Sequence, residues 1–379
     1  MFTTTPEQED FRKAVRQMAE GRLAPRAAEV DARAEYPSHS HKAFVDMGIM
    51  GMTFPEAFGG SGADEVTWAI AVEEISRVCA SSSLVALISN LAMIPVIRWG
   101  SEELKSRTLP RICDGSAQAS YCLSEAEAGS DVASMRTKAV RDGDEYVITG
   151  RKVWITNAGA SHFYTVFAKT DPVAGHRGVS AFVVEKDMPG FSIGKLEDKL
   201  GIRGSPTGEV VLDDVRVPNE NLIGEEGKGF YYAMGTLDWS RPTIGAQAVG
   251  IAQGALDYAV GYMGERATFG HPLTEYQGLQ FMVADMAMQV EAARGLVYRA
   301  CSMVNSADPD LTRVSAMAKC FAGDVAMKVT TDAVQLLGGY GYVKDHPVER
   351  MFRDAKITQI YEGTNQIQRM VIARRTFAR

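Results

Sequence analysis

The sequence lacks the motifs that identify several common kinds of chemical site. Its five cysteines are scattered, odd in number and never spaced C-x-x-C, so we expect reduced thiols that mostly fill a core. Its six histidines show no metal-ligand spacing, and we predict no metal site. It has no G-x-G-x-x-G after a strand, no G-x-x-x-x-G-K-[ST] and no G-x-S-x-G. A Rossmann unit, a P-loop and a hydrolase nucleophile elbow are therefore excluded.

The chain also lacks the charge and hydropathy patterns of nucleic-acid-binding and membrane proteins. Its formal net charge is −7 and its pI is about 5.5, whereas nucleic-acid binding usually requires a basic face. The first residues show no signal-peptide pattern. The most apolar run, residues 84–99, is too short to span a membrane and contains Asn90 and Pro95, which predicts a buried helix. We expect a cytoplasmic protein without a membrane span.

Three regions with different patterns of hydrophobic residues follow one another along the 379 residues. Helical periodicity dominates residues 1–116, where the TPEQ sequence at 5–8 predicts a capped helix start. Short strands separated by turn residues are predicted at 146–149, 152–156, 164–168, 178–184 and 208–212. Long, Ala- and Met-rich helices are predicted at 242–265, 276–304 and 311–337.

These patterns predict an α+β fold that is mostly α. We expect an N-terminal helical domain (1–116), a middle antiparallel β-barrel or sandwich domain (117–226) and a C-terminal four-helix-bundle domain (227–379). Few enzyme folds insert a small β domain between two helical ones, so the order itself is informative.

Two polar clusters lie in the predicted β region. Residues 121–131 (YCLSEAEAGSD) combine hydroxyls, a glycine and backbone N–H groups that could cradle a polar ring edge or a phosphate. On spacing alone, a capped loop is the simpler interpretation. In residues 154–157 (WITN), the Trp and the Thr hydroxyl could flank a planar ring, but a β-core Trp fits the sequence equally well.

A third cluster lies near the C-terminus. The glycines in residues 335–342 (QLLGGYGY) allow the backbone to approach a ligand closely. Residues 353–356 (RDAK) follow, and on their own they are equally typical of a solvated charge run. Residues 360–369 (IYEGTNQIQR) complete the cluster.

Together these segments resemble the acyl-CoA dehydrogenase family. Residues 123–125 (LSE) with 129–131 (GSD) resemble its first signature, and residues 335–341 with 353–356 its second. Residues 360–364 (IYEGT) are similar to the segment that carries the catalytic glutamate. Residues 266–270 (RATFG), with Gln277, Gln280 and Phe281, match a further family stretch. The motifs occur in the family's order over essentially the whole chain, and they suggest a bacterial short- or medium-chain, or short-branched-chain, member.

The resemblance implies that the cofactor is FAD. The Thr156 hydroxyl would lie near flavin N5, Thr364 and Gln366 would contact the ADP part, and a homotetramer would supply some residues from a neighbouring subunit. The implied FAD contacts are Tyr121, Leu123, Ser124, Gly129, Ser130, Trp154, Ile155, Thr156, Arg266, Thr268, Phe269, Gln277, Gln335, Leu336, Gly338, Gly339, Thr364 and Gln366. Of these, the residues from Arg266 to Gly339 would reach FAD across the subunit interface.

The resemblance also implies the reaction. Glu362 would remove the α-proton of an acyl-CoA while the β-hydride passes to flavin N5, which yields a trans-2-enoyl-CoA. The thioester carbonyl would accept hydrogen bonds from the Glu362 N–H and an FAD ribityl hydroxyl. In some family members the base lies at the position of Ser240. Because this chain has a serine there and a glutamate at position 362, Glu362 is the implied base. The implied substrate contacts are Ser130, Asp238, Ser240, Arg241, Gly363 and Arg374, although the charged ones could be helix-surface ion-pair residues.

Three functions remain open at this point. The first is a dehydrogenase of fatty acid β-oxidation that passes electrons to an electron-transfer flavoprotein. The second is an oxidase that uses oxygen, which the standard length of 379 residues disfavours. The third is a non-catalytic acyl-CoA-binding protein, which the retention of Glu362 disfavours. We expect a straight short or medium acyl chain, with a 2-methyl-branched short chain as the rival.

Overall fold

The computed structural model describes residues 4–306 and 308–378. Its N-terminal part is helical, and the predicted capping box is confirmed: the Thr5 hydroxyl accepts from Gln8 N at 3.2 Å, and the Gln8 side chain accepts from Thr5 N at 3.0 Å. The helices of this part are α1 (Pro6–Met18), α2 (Ala27–Arg33), α3 (Ser38–Asp46), α4 (Glu65–Ser76), α5 (Ala80–Trp99) and α6 (Glu102–Cys113).

Helix α5 contains the most apolar run of the sequence and is longer than that run. Among the described residues it is the one helix whose length and hydropathy would permit a membrane crossing, but 83% of its most apolar window is buried inside the protein. Pro95 lies within the helix and is itself buried. The predicted buried helix is therefore confirmed, and it begins four residues earlier than the apolar run because Ala80 and three buried serines extend it.

One seven-stranded sheet forms the middle of the chain. Its strands are β1 (Ala119–Cys122), β2 (Lys138–Asp142), β3 (Glu145–Thr156), β4 (Phe163–Lys169), β5 (Val179–Glu185), β6 (Phe191–Leu196) and β7 (Thr207–Pro218). The spatial order is β1-β4-β2-β3-β7-β6, with β5 paired to β4. The long pairs are antiparallel as predicted, whereas β1 runs parallel to β4, a non-local pairing that strand periodicity does not reveal.

The two strands predicted at 146–149 and 152–156 are one continuous strand, β3. Register shifts against β7 lie between Ile148 and Gly150 and between Lys152 and Ile155, and the residues between the two predicted strands, Gly150 and Arg151, pair with Leu212 and Val211 of β7. Gly150 fits because a Cβ there would lie 2.4 Å from the Thr137 hydroxyl oxygen.

The C-terminal part is a bundle of long helices, as predicted. It contains α7 (Gly229–Glu265), α8 (Gln277–Met303), α9 (Leu311–Leu337), α10 (Val348–Ala355) and α11 (Asn365–Phe377), with a two-stranded hairpin of β8 (Ala267–Thr268) and β9 (His271–Pro272). Helix α7 begins at Gly229 rather than near 242, because its first turns pack on β5. A Cβ at Gly229 would lie 2.5 Å from the carbonyl carbon of Ser180.

Helix α7 connects all three parts of the fold. Its glycines let α4 approach closely: a Cβ at Gly250 would lie 2.3 Å from the Glu73 carbonyl oxygen, and one at Gly254 would lie 2.0 Å from that of Arg77. It also contacts α5 of the N-terminal part, β5 of the middle sheet, and α8 and α9 of the bundle. Residues 238–241, in the N-terminal half of α7, therefore belong to the helix that joins all three parts.

Candidate active site

Glu362 lies in the turn between α10 and α11, where the backbone adopts an uncommon conformation. Glu362 has φ 54° and Gly363 has φ 88°, so two successive residues are left-handed. The residue is half-buried, but its carboxylate oxygen Oε1 is enclosed and has no hydrogen-bond partner among the described residues. The other oxygen, Oε2, accepts a hydrogen bond of 2.6 Å from the Ser240 hydroxyl on α7.

Donors from three helices hold the carbonyl groups of this turn. The Glu362 carbonyl accepts from Gln368 Nε2 at 3.1 Å and from Arg241 Nε at 3.5 Å. The Gly363 carbonyl accepts from Gln368 Nε2 at 2.9 Å and from Lys319 Nζ at 2.7 Å. Within the described part of the chain, no hydrogen bond uses the Glu362 N–H as its donor. The turn is therefore fixed, while one N–H and one carboxylate oxygen stay available.

The surroundings of the Glu362 carboxyl raise its pKa to near neutral pH. Burial raises its pKa to about 7, against the Ser240 hydrogen bond and the positive charges of Arg241 and Lys319, which lower it. A carboxylate in water has a much lower pKa and binds a proton weakly. The enclosed Glu362 can therefore act as a base that is ionised in part at neutral pH.

Two charged residues of α7 lie near the base and form an ion pair with each other. Arg241 is buried and donates from Nη1 to Asp238 Oδ1 at 2.6 Å, while Asp238 Oδ2 accepts from the Thr312 hydroxyl at 2.7 Å. The structure thus brings the predicted substrate residues Ser240, Arg241 and Gly363 to Glu362, with Asp238 one contact away. Ser130 and Arg374 are exposed and make no contact with this group among the described hydrogen bonds and ion pairs.

Tyr121 on β1 lies on another side of the base. Burial raises its pKa far above the ordinary value, and the negative charge of Glu362 adds to the effect. Its hydroxyl donates to the Ala233 carbonyl of α7 at 3.4 Å, and its ring lies 5.0 Å from that of Phe167. The β region and the bundle therefore both face Glu362.

The 123–131 loop is anchored to the strand that carries Trp154. Lys152 is fully buried and donates to Glu125 Oε1 at 2.8 Å and to the Leu123 carbonyl at 3.2 Å. Ser124 O accepts from Val153 N at 3.0 Å. Within the loop, Gly129 and Ser130 are exposed and Leu123 is buried. The anchored loop therefore has a defined position beside β3.

Trp154 is not a core residue. Its side chain is 63% exposed and its φ is 61°, whereas the next residue, Ile155, is buried. The β-core interpretation is wrong, because the bulge in β3 turns this side chain outward. Thr156 is half-buried, and its carbonyl accepts from the Ser120 hydroxyl at 2.7 Å. An exposed indole ring next to a threonine remains free to cover a planar ligand.

Six further predicted residues line one cavity of about 740 Å³ in the bundle. They are Arg266, Thr268, Gln335, Leu336, Gly338 and Gly339. The lining contains neither Glu362 nor any residue of the middle sheet. Phe269 beside it is 95% exposed with φ 51°, and Gln277 is exposed as well. One chain therefore presents two separate groups of candidate residues.

Thr364 and Gln366 begin helix α11. The Thr364 hydroxyl caps the helix by accepting from Ile367 N at 3.3 Å, and Gln366 is exposed. A capped helix start with an exposed amide side chain is compatible with binding a phosphate.

The RDAK segment joins two parts of the fold. Arg353 donates to both carboxylate oxygens of Asp31, at 2.9 and 2.7 Å, and Asp354 accepts from Ile202 N at 2.5 Å. The interpretation of a solvated charge run is therefore wrong for these two residues, while Lys356 is exposed.

Sequence reasoning missed Lys319 and Gln368, which hold the carbonyls of the Glu362 turn. One signal was available for Lys319, because it is the single charged residue in the apolar stretch 314–323. No comparable signal marks Gln368, which lies among polar residues of α11.

Family models match three successive parts of the chain. The N-terminal, middle and C-terminal domain models of acyl-CoA dehydrogenase match residues 5–116, 120–215 and 227–377, respectively. The chain belongs to the acyl-CoA dehydrogenase family. It is therefore an oxidoreductase of a flavoprotein family that acts on acyl-CoA, as the resemblance predicted.

Relatives cover almost the whole chain. The probable acyl-CoA dehydrogenase FadE25 of Mycobacterium tuberculosis is 54% identical over 99% of this chain and 96% of its own. The cyclohexane-1-carbonyl-CoA dehydrogenase of Geobacter metallireducens is 52% identical over 99% and 98% of the two chains.

Solved structures show the same fold. Butyryl-CoA dehydrogenase from Megasphaera elsdenii superposes with a TM-score of 0.96 at 43% identity, with 100% of both chains covered. A chain from work on the electron transferring flavoprotein of Acidaminococcus fermentans gives 0.97 at 45% identity, again with full coverage of both chains.

Proposed function

We propose that this acyl-CoA dehydrogenase introduces a trans α,β double bond into an acyl-CoA, and that Glu362 is the base that removes the α-proton. The observation that carries the proposal is the enclosed Glu362 Oε1, which has no hydrogen-bond partner among the described residues, on a carboxyl whose pKa burial raises to about 7. Burial of a polar atom without a hydrogen-bond partner is unfavourable, so we infer that Glu362 Oε1 contacts a ligand during the reaction.

The Glu362 turn supplies more than a carboxylate. The α-hydrogen of a thioester is only weakly acidic, so the negative charge that develops on the carbonyl oxygen needs a donor. The Glu362 N–H, which is unused within the described chain, can donate to that oxygen while the carboxylate takes the proton. A base and a donor on one residue hold the substrate in a fixed orientation.

We propose FAD as the cofactor, because the candidate residues fit its chemistry. The exposed indole of Trp154 suits a planar ring, and Arg266 with the Gln335 amide suits phosphates and hydroxyls. Nothing lies within 4 Å of a Cβ built at Gly338 or Gly339, which leaves room for a ligand beside that backbone. When bound, the flavin supplies the hydride acceptor for the β-hydrogen.

We further propose that one FAD site takes residues from two subunits. Trp154, Thr156, Thr364 and Gln366 would come from one subunit, and the Arg266–Gln335 cavity would come from its neighbour. The separation of these groups within one chain supports a homo-oligomer, for which a tetramer is the family expectation.

For the electron acceptor we propose an electron-transfer flavoprotein, in agreement with the Acidaminococcus structure. Short straight, 2-methyl-branched and alicyclic acyl groups are the substrates to compare, because relatives include a butyryl-CoA and a cyclohexane-1-carbonyl-CoA dehydrogenase. Turnover of C4 to C16, isobutyryl-, 2-methylbutyryl- and cyclohexane-1-carbonyl-CoA would rank them. Oxygen uptake during the same assays would identify an oxidase instead.

The test of the proposed base is Glu362→Gln. This variant keeps the shape of the side chain but cannot accept a proton, so we expect kcat to fall at least ~10³-fold while flavin and acyl-CoA binding persist. Steady-state kinetics and a spectroscopic flavin titration measure the two effects.

Glu103→Gln, an exposed carboxylate on α6, is the matched control and should behave as wild type. Turnover of Glu362→Gln within tenfold of the wild-type rate would contradict the assignment.

A further inference from the structure

Lys319 is a buried cation without an ion-pair partner within contact distance. It lies in the apolar middle of α9, is 1% exposed, and appears in none of the salt bridges among the described residues. Its ammonium group donates instead to two uncharged oxygens, Gly363 O at 2.7 Å and Asn365 Oδ1 at 3.0 Å. Burial of an ammonium group without a close counter-ion is unfavourable, so packing alone does not account for a lysine here.

The two acceptors of Lys319 lie on either side of the helix cap that follows Glu362. Left-handed backbone at a non-glycine residue such as Glu362 is strained and persists only where its surroundings hold it. Lys319 and Gln368 together fix the Gly363 carbonyl, and Gln368 also binds the Glu362 carbonyl. Both peptide planes around Gly363 are thereby fixed, and with them the direction of the Glu362 side chain.

Lys319 also acts on Glu362 through its charge. The groups that interact with the carboxyl are Tyr121 from β1, Ser240 and Arg241 from α7, Lys319 from α9 and the neighbouring Tyr361. Asp238 and Asp324 lie next to Arg241 and Lys319, respectively. Asp238 is engaged by Arg241, and Asp324 is engaged by Arg369 and Asn365. Lys319 is therefore the one cation near Glu362 that has no carboxylate of its own within ion-pair distance, among the residues the structure describes.

We propose that Lys319 is a positioning residue for Glu362: it holds the left-handed Glu362–Gly363 turn through the Gly363 carbonyl, and its positive charge, together with that of Arg241, favours the ionised carboxyl. This inference rests on the proposed role of Glu362 as the base. Activity would then require Lys319 in addition to Glu362, because the Glu362 carboxylate and N–H have the correct orientation only while Lys319 is charged and in place.

The test is Lys319→Met, which keeps the length of the side chain and removes the charge and the donors. Loss of a nearby cation raises the pKa of Glu362, so the carboxyl should take up its proton at higher pH. Infrared difference titration without substrate measures this directly, since the Glu362 band is identified by its absence in Glu362→Gln. We also expect kcat to fall roughly 10²-fold, as for a displaced reacting group, with KM changed less than about threefold.

A second variant and a control separate position from charge. Gln368→Leu removes the other donor to the turn but no charge, so it should lower kcat without moving the carboxyl titration. Lys328→Met, on the exposed face of the same helix, should change neither quantity. Melting temperature verifies the folding of each variant, and Gln368→Leu tests the positional role on its own if Lys319→Met does not fold.

The outcomes distinguish this inference from the proposed function. An unchanged carboxyl titration and an unchanged kcat in Lys319→Met would overturn the role of Lys319 while leaving Glu362 as the base. High activity of Glu362→Gln would overturn the base itself, and the infrared titration would still report whether Lys319 controls the Glu362 carboxyl.

Discussion

The hydrogen bond from Ser240 to Glu362 links one hydroxyl to the pH dependence of the reaction. It stabilises the ionised carboxylate and so lowers a pKa that burial raises to about 7. Since the base must be ionised, kcat/KM should fall as the pH falls through this value. Ser240→Ala removes the bond and should shift this acidic limb to higher pH. A pH profile measures the shift, with the exposed Ser302→Ala as the control. An unshifted limb would show that the bond does not act on the base.

The roles of some residues near Glu362 could be predicted from the sequence, and those of others could not. Glu362, Ser240 and Arg241 belong to segments that resemble family motifs, and the structure brings them together. The contacts of Lys319 and Gln368 join backbone carbonyls, which carry no sequence signal. The exposure of Trp154 depends on a bulge and a positive φ, which strand periodicity does not indicate.

A buried ion pair contributes to the attachment of the 123–131 loop to β3, beside the backbone hydrogen bond from Val153 to Ser124. Lys152→Met would leave the Glu125 carboxylate without its counter-ion, although it still accepts from the N–H groups of Arg136 and Thr137, and breaking such a pair costs about 3–5 kcal/mol. We expect a lower melting temperature and weaker FAD binding, because Ser124 and Trp154 are both held through this pair. Urea unfolding and a flavin titration measure these effects.

The double variant Lys152→Met/Glu125→Gln provides the control for the ion pair. It removes both charges and should recover part of the lost stability. A double variant no more stable than Lys152→Met would contradict the pairing.

The contribution of the buried Asp354 carboxyl on α10 to the stability of the protein should fall as the pH rises. Burial raises the pKa of Asp354 from 3.8 to about 6, although it accepts from Ile202 N. A carboxyl whose pKa is raised on folding stabilises the protein most below its unfolded pKa, and this contribution is lost as the pH rises through about 6. Asp354→Asn keeps the acceptor and does not titrate.

The melting temperature of Asp354→Asn relative to wild type should therefore rise between pH 5 and pH 8, by the equivalent of about 1 kcal/mol. The exposed Asp187→Asn is the control and should show a constant difference. A pH-independent difference for Asp354→Asn would contradict the raised pKa.

The long helices α5, α7, α8 and α9 and the strands β3, β4, β5 and β7 could be predicted from periodicity, but several of their boundaries could not, and the strands β1, β2 and β6 were not predicted. Helix α7 begins 13 residues before the apolar pattern suggests, because its first turns pack on β5 through Gly229. The strands around Gly150 merge because β7 continues to pair across the bulges. In both cases tertiary contacts decide a boundary that local propensity leaves open.

For the whole protein, the order of helical, β and helical regions was predictable, since each has its own periodicity. The packing that unites them was not, because it depends on close approaches such as Gly250 against α4 and on ion pairs such as Arg353 with Asp31. The shared site that we propose gives the homo-oligomer a function, because each chain would complete the FAD site of its neighbour.

Mixing two inactive variants tests the shared site. Glu362→Gln lacks the base, and Arg266→Glu would repel the FAD phosphates across the interface. After equal amounts are mixed under conditions that exchange subunits, about a quarter of the sites should contain both wild-type residues. We expect activity near that fraction of the wild-type value. Activity no higher than the mean of the two separate variants would contradict a site built from two subunits.

The central claim is that the Glu362 carboxylate meets the α-carbon of the acyl group. A crystal structure with FAD and an unreactive acyl-CoA analogue measures this directly. The account predicts a carboxylate oxygen about 3–3.5 Å from the α-carbon, with the Glu362 N–H donating to the thioester carbonyl. A thioester bound away from Glu362, with the carboxylate still held by Ser240, would contradict it.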